Sequence, residues 1–238
     1  MKHYVNLKAA ARWELSYDRC MLLPPPPRFP GLRREDFDVF GITDREPRRR
    51  AIIEAFHPAL ALLADDMLLR LNDAPGPEFH AHLPRLDWPK GYVPFCTWLA
   101  LSPLPHGYQA GPQLNVGIHA DHVAARLAWD TSADAFGRFE FRCRMAGLGE
   151  TLVETAAAAG LVFRVFAASP WPEGSRCVFS SESDWDQSFV EVARRGVWWE
   201  LGRQWDLPAS FDLIETPAWS DAVAEVFLAL RPLYRLLD

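Results

Sequence analysis

With 238 residues, 49% of them hydrophobic and 24% charged, the chain has the size of one globular domain able to bury a substantial core. A formal net charge of −6 argues against nucleic acid or an anionic membrane as partner, because phosphate binding needs a basic face. No apolar run approaches the roughly 20 residues of a bilayer span, and the start MKHYVNLKAAARWEL lacks the apolar middle of a signal peptide, so the expectation is a soluble, cytoplasmic protein with no membrane partner.

Residues 1–35 read differently from the rest: a short strand, a short helix, then PPPPRFPG, where each proline fixes φ and removes a donor. The expected organisation is an N-terminal arm with a Pro-rich linker over residues 1–35 and a single α+β domain over residues 36–238. Arg28, Arg33 and Arg34, and then Arg48, Arg49 and Arg50, are flanked by acids and read as solvated surface. Helical character begins in EDFDVFGITDREPRRRAIIEAF, with Pro47 in a first turn and Asp44 and Glu46 at the positive end of the dipole. Pro58 is expected to end or kink this helix, and a second follows, with Leu60, Leu63, Ala64, Met67 and Leu71 on one stripe.

Beyond NDAPGPE the period changes to that of strands: FHAHL, FCTWLALS, QLNVGIH and VAARLAWD. Residues 132–159 turn helical, with Gly147 and Gly149 dividing them. LVFRVFA and RCVFSS are strands, SDWDQSFVEVARR a helix, and VWWELGRQW another strand. In the closing helix TPAWSDAVAEVFLALRPLYRLL, Thr216 is the expected cap, and Trp219, Val223, Val226, Leu230, Leu233 and Leu237 form one stripe that Pro232 bends near its end. The fold class is therefore α+β, a mostly antiparallel sheet of about five to seven strands packed against N-terminal, central and C-terminal helices.

In GIHADH, His119, Asp121 and His122 fall within four positions. If Ala120 and Asp121 form a two-residue turn, paired residues sum to 241: Ile118 faces Val123, Val116 faces Ala125 and Leu114 faces Leu127, all apolar and on one side of the pleat. A one-residue slip would put this set on the wrong face. The other side pairs Asn115 with Arg126, Gly117 with Ala124 and His119 with His122. Two readings are open there: either Gly117 and Ala124 admit a covering helix or the N-terminal arm, or Asn115, His119, His122 and Arg126 rim a shallow pocket. Polar strand faces usually meet solvent or a covering element, which favours the first.

No metal is expected. A catalytic zinc needs about three protein ligands, Asp121 in the turn is expected to point away from the two histidines, and His80 and His82 form a separate pair on another strand. Cys20, Cys96, Cys143 and Cys177 are widely spaced with no CxxC, and Cys96 and Cys177 read as reduced core residues.

EDFDVFGI, FHAHL, TWLALSP, HGYQ, QLNVGIHADH and LRPLY occur in an order that resembles the YktB-like family of bacterial proteins of unknown function (domain of unknown function 1054), over about residues 36–238. Thr97, Trp98 and Ser102, then Gly107 and Tyr108, then Asp121 and His122 fall on the family's short motifs, and His82 on its histidine in the first strand. His106 and Gln109 depart from the basic residues that flank Gly-Tyr in the family, and His119 replaces an apolar or aromatic residue. The resemblance implies an α+β fold with an antiparallel sheet and no reaction. It favours Asp121 and His122 over His119 for a shared role.

The chain has no GxSxG, Walker loop, GxGxxG after a strand, or HExxH, and no cofactor is called for. Whether it is an enzyme stays open. The leading reading is a non-enzymatic domain that binds an unknown small molecule or protein, with His82, Tyr108, Asn115, Asp121, His122 and Arg126 as candidate binding residues. The alternative is a small hydrolase-like enzyme with His122 as base, Asp121 orienting it, and Arg126 or Tyr108 holding a polar substrate.

Overall fold

A computed structural model describes residues 28–73, 76–87, 92–130, 137–138, 141–142, 145, 154, 157–158, 160–166, 175–178 and 198–234. The Pro-rich run at 24–27, the helix expected at 183–195 and most of the helical stretch expected at 132–159 lie outside them, although the described positions of that last stretch up to 158 are helical.

Among the described residues seven strands form one antiparallel sheet: β1 (His80–His82), β2 (Cys96–Ser102), β3 (Gln113–His119), β4 (His122–Asp130), β5 (Val162–Phe166), β6 (Ser175–Val178) and β7 (Trp198–Asp206). Their order is β1-β2-β3-β4-β7-β5-β6. The first four of these strands are a meander, and the last of them, β7, is inserted between β4 and β5. The β3–β4 register matches the expected hairpin: Ile118 pairs Val123, Val116 pairs Ala125 and Leu114 pairs Leu127.

One face of the sheet is apolar because every second residue of its strands is apolar. Leu99, Leu101, Leu114, Val116, Ile118, Val123, Leu127, Trp129, Trp199 and Leu201 are buried there. Two long helices, α1 (Arg45–Asn72) and α3 (Ala218–Tyr234), cover it. A short helix, α2 (Phe211–Ile214), precedes α3 and was not legible beside the stronger signals around it. Phe29 and Leu32 are buried in the same core, Phe29 lying 5.7 Å from the ring of Trp219, and Leu32 N–H donates to the Ile214 carbonyl at 2.9 Å.

The structure corrects three local expectations. First, α1 runs unbroken through Pro58. Ile52, Phe56, Leu60, Leu63, Met67 and Leu71 are all buried at spacings of three and four, so packing holds the helix across the proline. Pro58 itself is exposed, where water can satisfy the carbonyl that lost its donor. Second, EDFDVFG is a separate 3-10 helix (Arg34–Gly41) rather than the start of α1. Third, Thr216 does not cap α3 with its side chain: its hydroxyl donates to the Leu213 carbonyl at 2.8 Å, tying α3 back to α2.

Candidate functional site

The opposite face of the sheet follows from the same registers. Pairing sets four rows across it: Ser102 opposite His80; Ala100 with His82, Asn115, Arg126 and Gly202; Trp98 with Gly117, Ala124 and Gln204; and Cys96 with His119, while His122 pairs Asp206. Four candidate residues, His82, Asn115, His122 and Arg126, therefore belong to one surface, and Tyr108 is tied to it by its bond to Trp98. They fall into three groups on it.

The central group is a buried polar chain. Arg126 Nη1 donates to Glu200 Oε2 at 2.7 Å, and the two side chains are 12% and 4% exposed. Arg126 Nε donates to Asn115 Oδ1 at 3.3 Å, and Asn115 Nδ2 donates to Gln113 Oε1 at 3.2 Å. Buried charge is tolerated when it is paired and bonded. Two glycines make room for it. A Cβ on Gly117 would stand 2.7 Å from Arg126 Nη2, and one on Gly202 would stand 2.1 Å from the Ala125 carbonyl and 2.5 Å from Arg126 Cα. With Ala100, Ala124 and Ala128 also buried, the centre of the face is a floor of small side chains.

A second group sits at the hairpin tip. Asp121 Oδ1 lies 2.6 Å from His122 Nδ1, which corrects the expectation that Asp121 points away from the histidines. A turn carboxylate one residue from an imidazole gains a charge-assisted bond by folding back onto it. The rings of His119 and His122 stack at 4.2 Å with planes 11° apart. Leu207 N–H donates to the Asp121 carbonyl at 2.8 Å, tying the tip to the chain after β7.

The third group lies at the β1–β2 side. His82 stacks on Tyr108 at 4.8 Å, its Nε2 bonds the Leu104 carbonyl at 2.9 Å, and Trp98 Nε1 donates to the Tyr108 hydroxyl at 3.1 Å. Burial holds the His82 pKa below its ordinary value, opposed by the Leu104 carbonyl and helped by His80 and His106, so its Nε2 donates as a neutral imidazole. Burial also raises the Tyr108 phenol, with bonds from Trp98 and Gln109 working against it. Three strand spacings, about 14 Å, separate His82 from Arg126 in their row. Four residues of β4, about 13 Å, separate Arg126 from His122. The groups share a face but do not converge on a point.

Cys96 is a free, buried thiol with its pKa pushed up to about 12 by burial. It is therefore protonated at neutral pH, unsuited to nucleophilic work. Among the described residues no three His, Cys, Asp or Glu side chains gather as a metal site would require, and no helix is long and apolar enough to cross a membrane. Sequence reasoning did not include Gln113 and Glu200 among the candidates. Glu200 is 74 positions from Arg126, so no local signal could pair them.

The sequence profile of a domain of unknown function, DUF1054, matches residues 32–135. Over that stretch the chain is similar to bacterial proteins named UPF0637. A UPF0637 protein of Macrococcus caseolyticus is 32% identical over 89 residues, 37% of this chain and 44% of that protein. One from Exiguobacterium sibiricum is 30% identical over 96 residues, 40% of this chain and 48% of its own length. One from Lysinibacillus sphaericus is 29% identical over 94 residues, 40% and 44%. The chain thus matches a little under half the length of these UPF0637 relatives. The DUF1054 match takes in the 3-10 helix, α1 and β1 to β4. It stops before β5, so Glu200 and the LRPLY segment lie beyond it.

Proposed function

We propose that this is a non-enzymatic domain whose polar sheet face binds a small molecule. The observation that carries the reading is the bonded chain Gln113–Asn115–Arg126–Glu200 beside a floor of Ala100, Gly117, Ala124 and Gly202. Fixed polar groups flanking a smooth, small-residue floor are what a ligand site needs for orientation and close approach. The charged centre is already compensated internally, which suits recognition better than chemistry.

A hydrolase reading draws on the 2.6 Å contact between Asp121 and His122, the geometry of a base with its orienting acid. Against it, Arg126 is engaged by Glu200, and Tyr108 is engaged by Trp98 at the far side of the face.

The test is a thermal-shift screen of metabolites, since a ligand confined to the folded state raises stability by about 2.7 kcal/mol at a hundred times its Kd, followed by backbone NMR mapping of each hit. Hits whose shifts centre on Gly117, Ala124, Arg126 and Gly202 support the binding reading. Turnover of an ester or amide probe that is lost in His122→Ala replaces it with the hydrolase reading.

A further inference from the structure

We infer that the outer side of α1 is a self-association surface, on which a second copy of this chain lays its own α1 antiparallel about a two-fold axis beside Pro58. A helix at the surface of a globule ordinarily carries one apolar stripe and, opposite it, a polar face. In α1 the inner stripe of Ile52, Phe56, Leu60, Leu63, Met67 and Leu71 is buried. The outer side is not polar. The 14 residues between Arg50 and Asp65, AIIEAFHPALALLA, contain one acid, Glu54, and no Lys or Arg. Pro58 and Ala61 are exposed, Ala55 and Leu62 are half-buried, and Leu69 is 76% exposed. Their spacings of three, four and seven set them on one side of the helix, away from the buried stripe. They form a strip rather than scattered points, which marks an interaction surface. This strip lies on the helix layer, so it is independent of the ligand-binding reading of the opposite sheet face.

Charge selects the occupant. Arg50 and Asp65 bracket the strip on its own side of the helix, about 22 Å apart along the axis, and both are exposed. The ion pairs of α1 are Arg45–Glu46, Arg49–Glu46 and Arg70–Asp221; among the described residues Arg50 and Asp65 enter none. A partner must therefore offer an acid and a base at matching separation around an apolar run, and α1 itself carries that pattern. An antiparallel pair that sets Arg50 of one copy opposite Asp65 of the other makes the same contact twice, because a two-fold interface is self-complementary. Glu54 then faces Ala61, and Pro58 lies beside the axis, where small side chains let the helices approach. A parallel pair would set Arg50 against Arg50 and Asp65 against Asp65, which like-charge repulsion opposes. A strip of about 22 Å on a helix about 10 Å wide offers less than the roughly 800 Å² per partner of a standard stable interface. The dimer is accordingly one that dissociates on dilution.

Sedimentation velocity of the full chain, run from micromolar to millimolar concentration at low salt, tests this directly. The wild type should pass from monomer to dimer across that range. Arg50→Asp and Asp65→Arg should each weaken self-association by about tenfold or more, since each homodimer would hold two like-charge contacts. Mixing the two variants should restore dimers, because one copy then presents two acids and the other two bases at the same positions. Both substitutions are at exposed sites and should leave the thermal midpoint of the monomer unchanged, which circular dichroism checks. The mixture also separates a lost contact from a damaged fold, since misfolded variants would not recover on mixing. A wild type that stays monomeric at millimolar concentration overturns the inference. So do single variants that dimerise as tightly as the wild type, or a mixture that associates no better than its components.

Discussion

The two faces of the sheet are built from alternate residues of the same strands, yet they are held together by different physics. On the helix-covered face, Val116, Ile118, Val123 and Leu127 meet α1 and α3 through non-directional burial, worth about 1.5–3 kcal/mol for a large side chain. On the other face, Asn115, Arg126 and Glu200 depend on particular partners at particular distances. A core of the first kind tolerates change in proportion to volume lost. A network of the second kind fails when one member is removed and another is left bare.

The largest expected effect tests the apolar side. Trp219, fully buried on α3, touches Phe29 at 5.7 Å and Trp205 at 5.9 Å. Trp219→Ala should cost about 3–5 kcal/mol, read as a lower urea midpoint at unchanged slope.

Next comes the polar side. Glu200→Ala should cost about 3 kcal/mol, because Arg126 would stay buried without its counter-charge. The double change Arg126→Met with Glu200→Leu should cost less than Glu200→Ala alone. If the double variant is the less stable of the two, the contrast between the faces is wrong.

A pH series probes both faces through one histidine each. His57 on α1 lies 3.2 Å from Thr97 Oγ1, and burial lowers its pKa; His82 on the other face is lowered as well. The folded chain favours both as neutral imidazoles, while the unfolded chain binds protons near the ordinary value of 6.5. Their contribution is therefore complete above about pH 6.5 and is lost as the pH falls below it. Thermal midpoints of His57→Gln and His82→Gln should each decline less steeply than the wild type between neutrality and moderate acidity. A slope unchanged by either substitution would place the proton uptake elsewhere.

The smallest change is expected at the hairpin tip. Asp121 is 83% exposed, so solvent screens its bond to His122, and Asp121→Asn should shift stability by less than about 1 kcal/mol. A larger loss would mean that the tip is braced through this pair more firmly than through the Leu207 N–H bond to the Asp121 carbonyl.

What the sequence disclosed follows from the same contrast. The β3–β4 register was readable because six residues in three apolar pairs had to share a face. The course of α1 was half readable: the stripe through Leu60 and Leu71 was visible, but the local cost of Pro58 concealed that Ile52 and Phe56 continue the stripe in phase. Asn115, Asp121, His122 and Arg126 were offered by one hairpin and His82 and Tyr108 by the family resemblance, and neither source indicated how they group. The bond between Trp98 and Tyr108 and the pairing of Arg126 with Glu200 depend on tertiary approach, for which periodicity carries no information. His119 departs from the family's pattern and was disfavoured for a shared role, yet the pleat sets it on the same face as Gly117.

Strand order also has a temporal side. β7 lies between β4 and β5 in the sheet, although it leaves the ribosome after both. While the chain grows from its N-terminus, the β1–β4 meander and the β5–β6 hairpin can each form, but neither can join the other until Trp198–Asp206 has been made. Throughout that interval Arg126 waits for Glu200, so the newborn protein carries an uncompensated cation at its future centre, and the strand that closes the sheet is the one that delivers the neutralising charge.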